Sequence, residues 1–213
     1  TGRAPAAGFH LDEHRRGEIG FRLTGVRDEL LDHDALAPVL GYLVGHRAGP
    51  HVPVIEGLAP DTAEHRLKAL GAACASSGSV AMFHAVGTTP EAPTLDNAVG
   101  EFARLVDALG ERRVAPGVEF FVNTSRDVLN EVRLRGWERE LTAAGVQIVT
   151  DTCTYITPIM ADVQTYAMTD SAKWAHYAPG NLGIDVAFGS VDDCVESAIA
   201  GHLVFDDEMW SDR

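Results

Sequence analysis

Cys153 stands in the stretch DTCTYITP (151–158), directly after the apolar run VQIVT. A thiol at that point suits four roles: core packing, nucleophilic attack, half of a disulfide, or metal coordination. A nucleophile needs a base, and His84 and His176 are the histidines considered for it. A disulfide framework is disfavoured, because the three cysteines are odd in number and far apart, which points to a reducing compartment. Cys194 falls in the first turn of DDCVESAIA, where a helix dipole favours a thiolate. The same position suits a small side chain packed on a sheet, and that reading is preferred. Cys74 sits between the end of a helix and the start of a strand and reads as buried. Spacing alone leaves Cys153 open between a reactive thiol, a core thiol and a metal ligand.

The elements that must position these residues follow from the hydrophobic pattern. From residue 51 onward short apolar runs alternate with amphipathic segments. HVPVIEGL, SVAMFHAVG, VEFFVN, VQIVT, TYAMT and IDVAFGS read as strands. Between them, helices are expected from a cap at Asp61 or Thr62 to Ala73, and from Thr94 to Leu109. Another spans DVLNEVRLRGWERELTAAG after Thr124 or Ser125, with Gly145 just past its end. Ser171 is placed to cap AKWAHYA before Pro179, and Ser190 to cap DDCVESAIA as far as Gly201. This alternation predicts an α/β fold, a parallel sheet with helices on both faces, over residues 51–213. Residues 1–50 fit less well and are expected to be part of an upstream domain, with a hairpin in GFHLDEHRRGEIGFRLTG and a helix in LLDHDALAPVLGYLVGHRAG. The opening TGRAPAAG reads as the middle of a longer chain.

In open parallel sheets ligands bind beyond the carboxyl ends of the strands. This chain places there His84, Gly87 and Thr88, then Asn123, Thr124 and Ser125, then Asp151, Thr152, Cys153 and Thr154. Thr169, Asp170, Ser171 and Lys173 follow, and last Gly189 and Ser190. Many of these Ser and Thr residues are ordinary turn and cap residues. His84 and Lys173 are not preferred caps and stand out. The formal charge is −14, from 17 Lys and Arg against 31 Asp and Glu. With no basic run, that balance disfavours nucleic acid or an anionic membrane as partner. No stretch approaches the roughly 20 apolar residues of a spanning helix, so the expected setting is cytoplasmic. Neither a P-loop nor a Gly-x-Gly-x-x-Gly follows a strand.

Three long runs, LKALGAACASSGSVAMFHAVGTTPEAP (67–93), VTDTCTYITPIM (149–160) and MTDSAKWAHYAPGNLGIDVAFGSVDDCVESAIAG (168–201), resemble the large-subunit part of aconitase X, a branch of the aconitase superfamily. The opening segment is similar to a mid-chain part of the same family. The resemblance implies an aconitase-like fragment of a larger catalytic region and a carbon–oxygen hydro-lyase of class 4.2.1.-. It also implies a small hydroxy acid as substrate, cis-3-hydroxy-L-proline before mevalonate 5-phosphate. As cofactor it implies an iron–sulfur cluster, [2Fe–2S] or [4Fe–4S], with Cys153 as a ligand and Cys194 as a further candidate. Ordinary aconitases carry two close cysteines here, whereas this chain continues with Tyr155 and Ile156. The chemistry that the resemblance implies assigns the substrate carboxylate to Lys173, and hydrogen bonds to Ser171, Gly87, Thr88 and Thr152. His84 would handle the leaving water. The base is expected from a small swivel domain or subunit. A Cys–His thiol enzyme is the alternative of a different class.

Overall fold

In the computed structural model, which describes residues 11–210 apart from 32, 81, 88–94, 153, 155, 156, 158 and 161–165, every strand pairing is parallel. The chain divides into two units, Thr1–Ala92 and Pro93–Arg213. In the first, β1 (Ile19–Arg22) is followed by a single helical turn, α1 (Asp28–Leu31), and by α2 (Leu36–Ala48). β2 (Pro53–Glu56), α3 (Glu64–Ser76) and β3 (His84–Val86) complete the unit, with strand order β1-β2-β3. Ile55, wholly buried in the central strand, pairs with Phe21 on one side and Ala85 on the other. It joins Ala37, Leu40 and Val44 of α2 and Leu70 and Cys74 of α3 in one apolar core. The two helices touch backbone to backbone. A methyl group at Gly41 would collide with the Leu70 carbonyl, and one at Gly45 with the Cys74 carbonyl. Residues four apart share a helix face, so this spacing on both helices makes a continuous close contact.

Residues 19–48 are therefore built into this unit, and the expected hairpin does not form among the described residues. Asp12–Arg15 is a 3₁₀ turn and β1 pairs in parallel with β2. A four-residue strand takes its hydrogen bonds from whichever neighbour buries its apolar side chains, and here that neighbour is distant in sequence. The expected cap at Thr62 is also replaced. Thr62 is buried, its hydroxyl donates to the Ala59 carbonyl at 2.7 Å, and α3 starts after Ala63 with no side-chain cap.

The second unit contains α4 (Leu95–Leu109), β4 (Phe120–Thr124), α5 (Arg126–Leu134), α6 (Trp137–Ala144), β5 (Val146–Thr150), β6 (Tyr166–Thr169), α7 (Ala172–Leu182), β7 (Asp185–Phe188), α8 (Val191–Ala200) and the short α9 (Asp207–Trp210). The strands pair as β4-β5 and β6-β7, so the described strands make short parallel sheets, not one continuous sheet. Val99, Phe102, Leu105 and Leu109 form an apolar stripe along α4 and meet Val128, Val132, Leu141, Val146 and Val195 in the core. The long helix expected over 127–144 is broken in two, because Gly136 takes a left-handed φ of 82° between α5 and α6. Gly145 ends α6 at φ 101°, as its position predicted. The helix after Ser171 runs past Pro179 to Leu182 and stops at the left-handed Gly183.

Candidate functional site

β4 and β5 end side by side, with Thr124 opposite Thr150. One residue further, the Asp151 N–H donates to the Thr124 carbonyl at 3.1 Å. Asp151 holds φ at 54°, and among the described residues no other non-glycine has a positive φ. That backbone turns its carboxylate back onto the start of α5, the helix that follows β4. Oδ1 accepts from the Arg126 N–H at 3.1 Å and Oδ2 lies 3.1 Å from Arg126 Nε. Ser125 caps the same helix by accepting from the Val128 N–H at 3.2 Å. Two orphan amides at the start of α5 are thus satisfied from two elements. In front of them lies an open depression of about 470 Å³ lined by Asn123, Thr124, Ser125, Asp151 and Thr152. The Thr152 and Thr157 hydroxyls hydrogen-bond to each other across the loop that follows.

β6 and β7 end in the same manner, with Thr169 opposite Phe188 and the Gly189 N–H donating to the Thr169 carbonyl at 3.1 Å. Ser171 is the cap of α7, its hydroxyl accepting from the Trp174 N–H at 3.3 Å, and its own N–H donates to the Thr169 hydroxyl at 3.1 Å. Lys173 is the second residue of α7, exposed, with no ion pair among the described residues. A cation there opposes the helix dipole, so the position gains nothing from the helix and is open to an anion. The Trp174 indole N–H donates to the Thr154 hydroxyl at 2.9 Å. Thr154 is 3% exposed and Trp174 half-buried, so the bond between the two loops is partly buried.

Beyond β7, Ser190 and Asp193 form a reciprocal capping box on α8. Asp193, also buried, accepts from the Asp206 N–H at 2.7 Å and so anchors the segment that follows α8. Cys194 is half-buried next to it. Burial, and after it the charges of Asp170 and Asp193, push its thiol well above the ordinary range. The helix start does not yield a thiolate here, and packing is the role the environment supports. Cys74 is buried in α3, and its thiol is likewise pushed up by burial.

No group of three or more His, Cys, Asp or Glu side chains converges among the described residues. Cys194 is held protonated beside two carboxyl groups. Cys153 and Thr88 lie outside the described residues.

His84 and Gly87 belong to the first unit, and Thr152, Ser171, Lys173 and Cys194 to the second. His84 Nε2 bonds to the Arg15 carbonyl. A carbonyl only accepts, so that nitrogen carries the proton and Nδ1 is the basic one in the neutral ring. Gly87 follows β3 in a left-handed conformation at φ 83°, which favours glycine. Within the second unit the structure joins the Thr152–Thr154 loop to the Ser171–Lys173 turn through Trp174. Sequence reasoning missed Arg126 and Trp174. A tryptophan beside an unusual helix-start lysine was the available signal for the second.

No helix among the described residues is long and apolar enough to cross a membrane. Two family models match in tandem, the aconitase X second domain over residues 17–109 and the aconitase X third domain over residues 96–200. The chain is 36% identical, over 94% of its length, to the cis-3-hydroxy-L-proline dehydratase of Pseudomonas aeruginosa. It is 32% identical over 98% of its length to the enzyme of that name from Hypocrea jecorina. It is 31% identical over 88% to the phosphomevalonate dehydratase large subunit of Methanothermobacter thermautotrophicus. The chain spans 42% of the length of each hydroxyproline dehydratase and 54% of the large subunit. The crystal structure of Thermococcus kodakaraensis aconitase X (holo-form) superposes with a TM-score of 0.74 at 24% identity, over 91% of this chain and 58% of that one. That likeness shows the fold.

Proposed function

The chain belongs to the aconitase X family, and from that premise we propose that it is part of a hydro-lyase that removes water from cis-3-hydroxy-L-proline. The observation carrying this reading is the 36% identity to a cis-3-hydroxy-L-proline dehydratase over 94% of the chain. Mevalonate 5-phosphate is the alternative substrate, favoured by the 31% identity to a phosphomevalonate dehydratase large subunit.

Dehydrating a hydroxy acid removes an α-proton and expels hydroxide, a poor leaving group. The carboxylate must be held by a cation, and the exposed Lys173 at the start of α7 supports that role. The Ser171 hydroxyl, Thr152, Gly87 and Thr88 supply hydrogen bonds. His84, whose Nε2–H is spent on Arg15, would present Nδ1 and protonate the departing hydroxide from its charged form. The base comes from a swivel domain or small subunit. The relative named as a large subunit supports such a partner. An iron–sulfur centre held through Cys153, with ligands from beyond the described residues, belongs to the proposal and would supply Lewis acidity. The separated cysteines support a cytoplasmic setting.

The test uses the full-length protein prepared anaerobically. Ketimine absorbance should appear on adding cis-3-hydroxy-L-proline, and mevalonate 5-phosphate should not turn over. Turnover of neither substrate refutes the activity. Cys153→Ser should lose iron, sulfide and turnover together; a metal-free wild type with full activity refutes the iron–sulfur part and favours a thiol enzyme.

A further inference from the structure

We infer that Thr154 and Trp174 are a positioning pair that sets the distance between the Thr152 loop and Lys173, an inference that rests on the dehydratase reading above. Two hydrogen bonds fix Trp174 at this point. Its backbone N–H is fixed by the Ser171 hydroxyl at 3.3 Å, and its indole N–H by the Thr154 hydroxyl at 2.9 Å. The first bond belongs to its own helix start and the second reaches across to the loop after β5. Lys173 lies between Ser171 and Trp174 in sequence, and Thr154 lies two residues beyond Thr152.

The chemistry of this bond argues against simple packing. A buried threonine hydroxyl can satisfy itself within its own loop, and an indole N–H can point to water from a half-buried ring. Here both are used on each other, between residues 20 apart in sequence. Thr154 is 3% exposed, so water does not stand in at its hydroxyl if the indole N–H is removed. A residue bonded through both its backbone N–H and its indole N–H holds the turn in one place relative to the loop. Productive alignment of a small hydroxy acid needs the carboxylate-binding cation and the loop hydrogen bonds at a fixed separation.

The experiment measures kcat and KM for cis-3-hydroxy-L-proline on the full-length enzyme and its Thr154→Val, Trp174→Phe, Thr154→Val/Trp174→Phe and Thr154→Ser variants, with thermal unfolding of each. Either single change should raise KM about tenfold with a smaller change in kcat. The double variant should be no worse than the poorer single, because one interaction is lost in all three. Thr154→Ser keeps the hydroxyl and should return KM to near the wild-type value. An unchanged KM in Thr154→Val, or single effects that multiply in the double, overturns the inference while wild-type turnover leaves the dehydratase reading intact. A folded Thr154→Ser that fails to recover also overturns it. If Trp174→Phe does not fold, the Val and Ser variants at 154 decide alone. Wild type inactive on both hydroxy acids overturns the dehydratase reading, and this inference falls with it.

Discussion

Asp151 grips Arg126 at two points: Oδ1 accepts its backbone N–H and Oδ2 meets its guanidinium, each at 3.1 Å. The grip is available only because Asp151 adopts a left-handed backbone directly after β5. Asp and Asn tolerate that conformation better than other side chains. The residue is thus a turn, a helix cap and a wall of the depression at once.

Three substitutions separate these parts. Asp151→Asn keeps the turn and an acceptor for the Arg126 amide and should be within about 0.5 kcal/mol of wild type. Asp151→Gly loses the acceptor but relaxes the backbone. Asp151→Ala loses both and should cost about 1–2 kcal/mol. Urea unfolding should rank them Asn, Gly, Ala; an Ala variant as stable as Asn would show that neither the cap nor the turn contributes.

Buried Asp193 accepts from the Ser190 and Asp206 amides at 2.9 and 2.7 Å. Asp193→Ala orphans both donors and should destabilise by about 2–4 kcal/mol. Asp193→Asn retains one acceptor oxygen and should cost less. Amide exchange over 202–210 should accelerate more than exchange in α4, since Asp193 anchors that segment.

The glycines of α2 and α4 should respond oppositely to alanine. At Gly41 and Gly45 the new methyl meets backbone carbonyls of α3, which do not give way. Each change should cost about 3 kcal/mol or more. At Gly100 of α4 a methyl would meet nothing within 4 Å, so Gly100→Ala should stabilise by about 0.5–1 kcal/mol. Circular dichroism melts of the three variants check the contrast.

Arg112 clasps Glu196 through two nitrogens at 2.9 and 2.7 Å and holds its carboxyl below the ordinary range. A lowered acid favours the folded state above the ordinary carboxylate range, about pH 4.3, and the contribution disappears as pH falls through the lowered value. Glu196→Gln should therefore be less stable than wild type at pH 7 and equal to it in strong acid. Both side chains are about half exposed, so high salt should shrink the difference at pH 7. Urea midpoints at both pH values test the sign.

Burial and the nearby carboxyl groups keep Cys194 protonated. Iodoacetamide at pH 8 should therefore modify Cys194 at least about tenfold more slowly than a free thiol, read residue by residue by mass spectrometry. A raised acid costs stability as pH climbs through the ordinary thiol range, so Cys194→Ala should be the more alkali-resistant protein. If Cys194 is no iron ligand, the same variant keeps its iron in the full-length enzyme.

Local chemistry was legible in the residues themselves. Ser125, Ser171 and Ser190 each cap the helix they precede, and Gly145 and Gly201 end helices in the left-handed conformation. Capping depends on a few neighbouring amides, and the alternation of apolar runs with amphipathic segments likewise reports a parallel α/β fold without any distant contact. Gly136 could have been read as a break but was masked by the periodicity on either side of it. What only the tertiary structure decided are the partnerships between remote segments. It paired β1 with β2, drew α2 onto α3 through Gly41 and Gly45, and bonded Trp174 to Thr154. Such choices depend on which distant surface buries a group best, and no residue carries that information within its own stretch of chain.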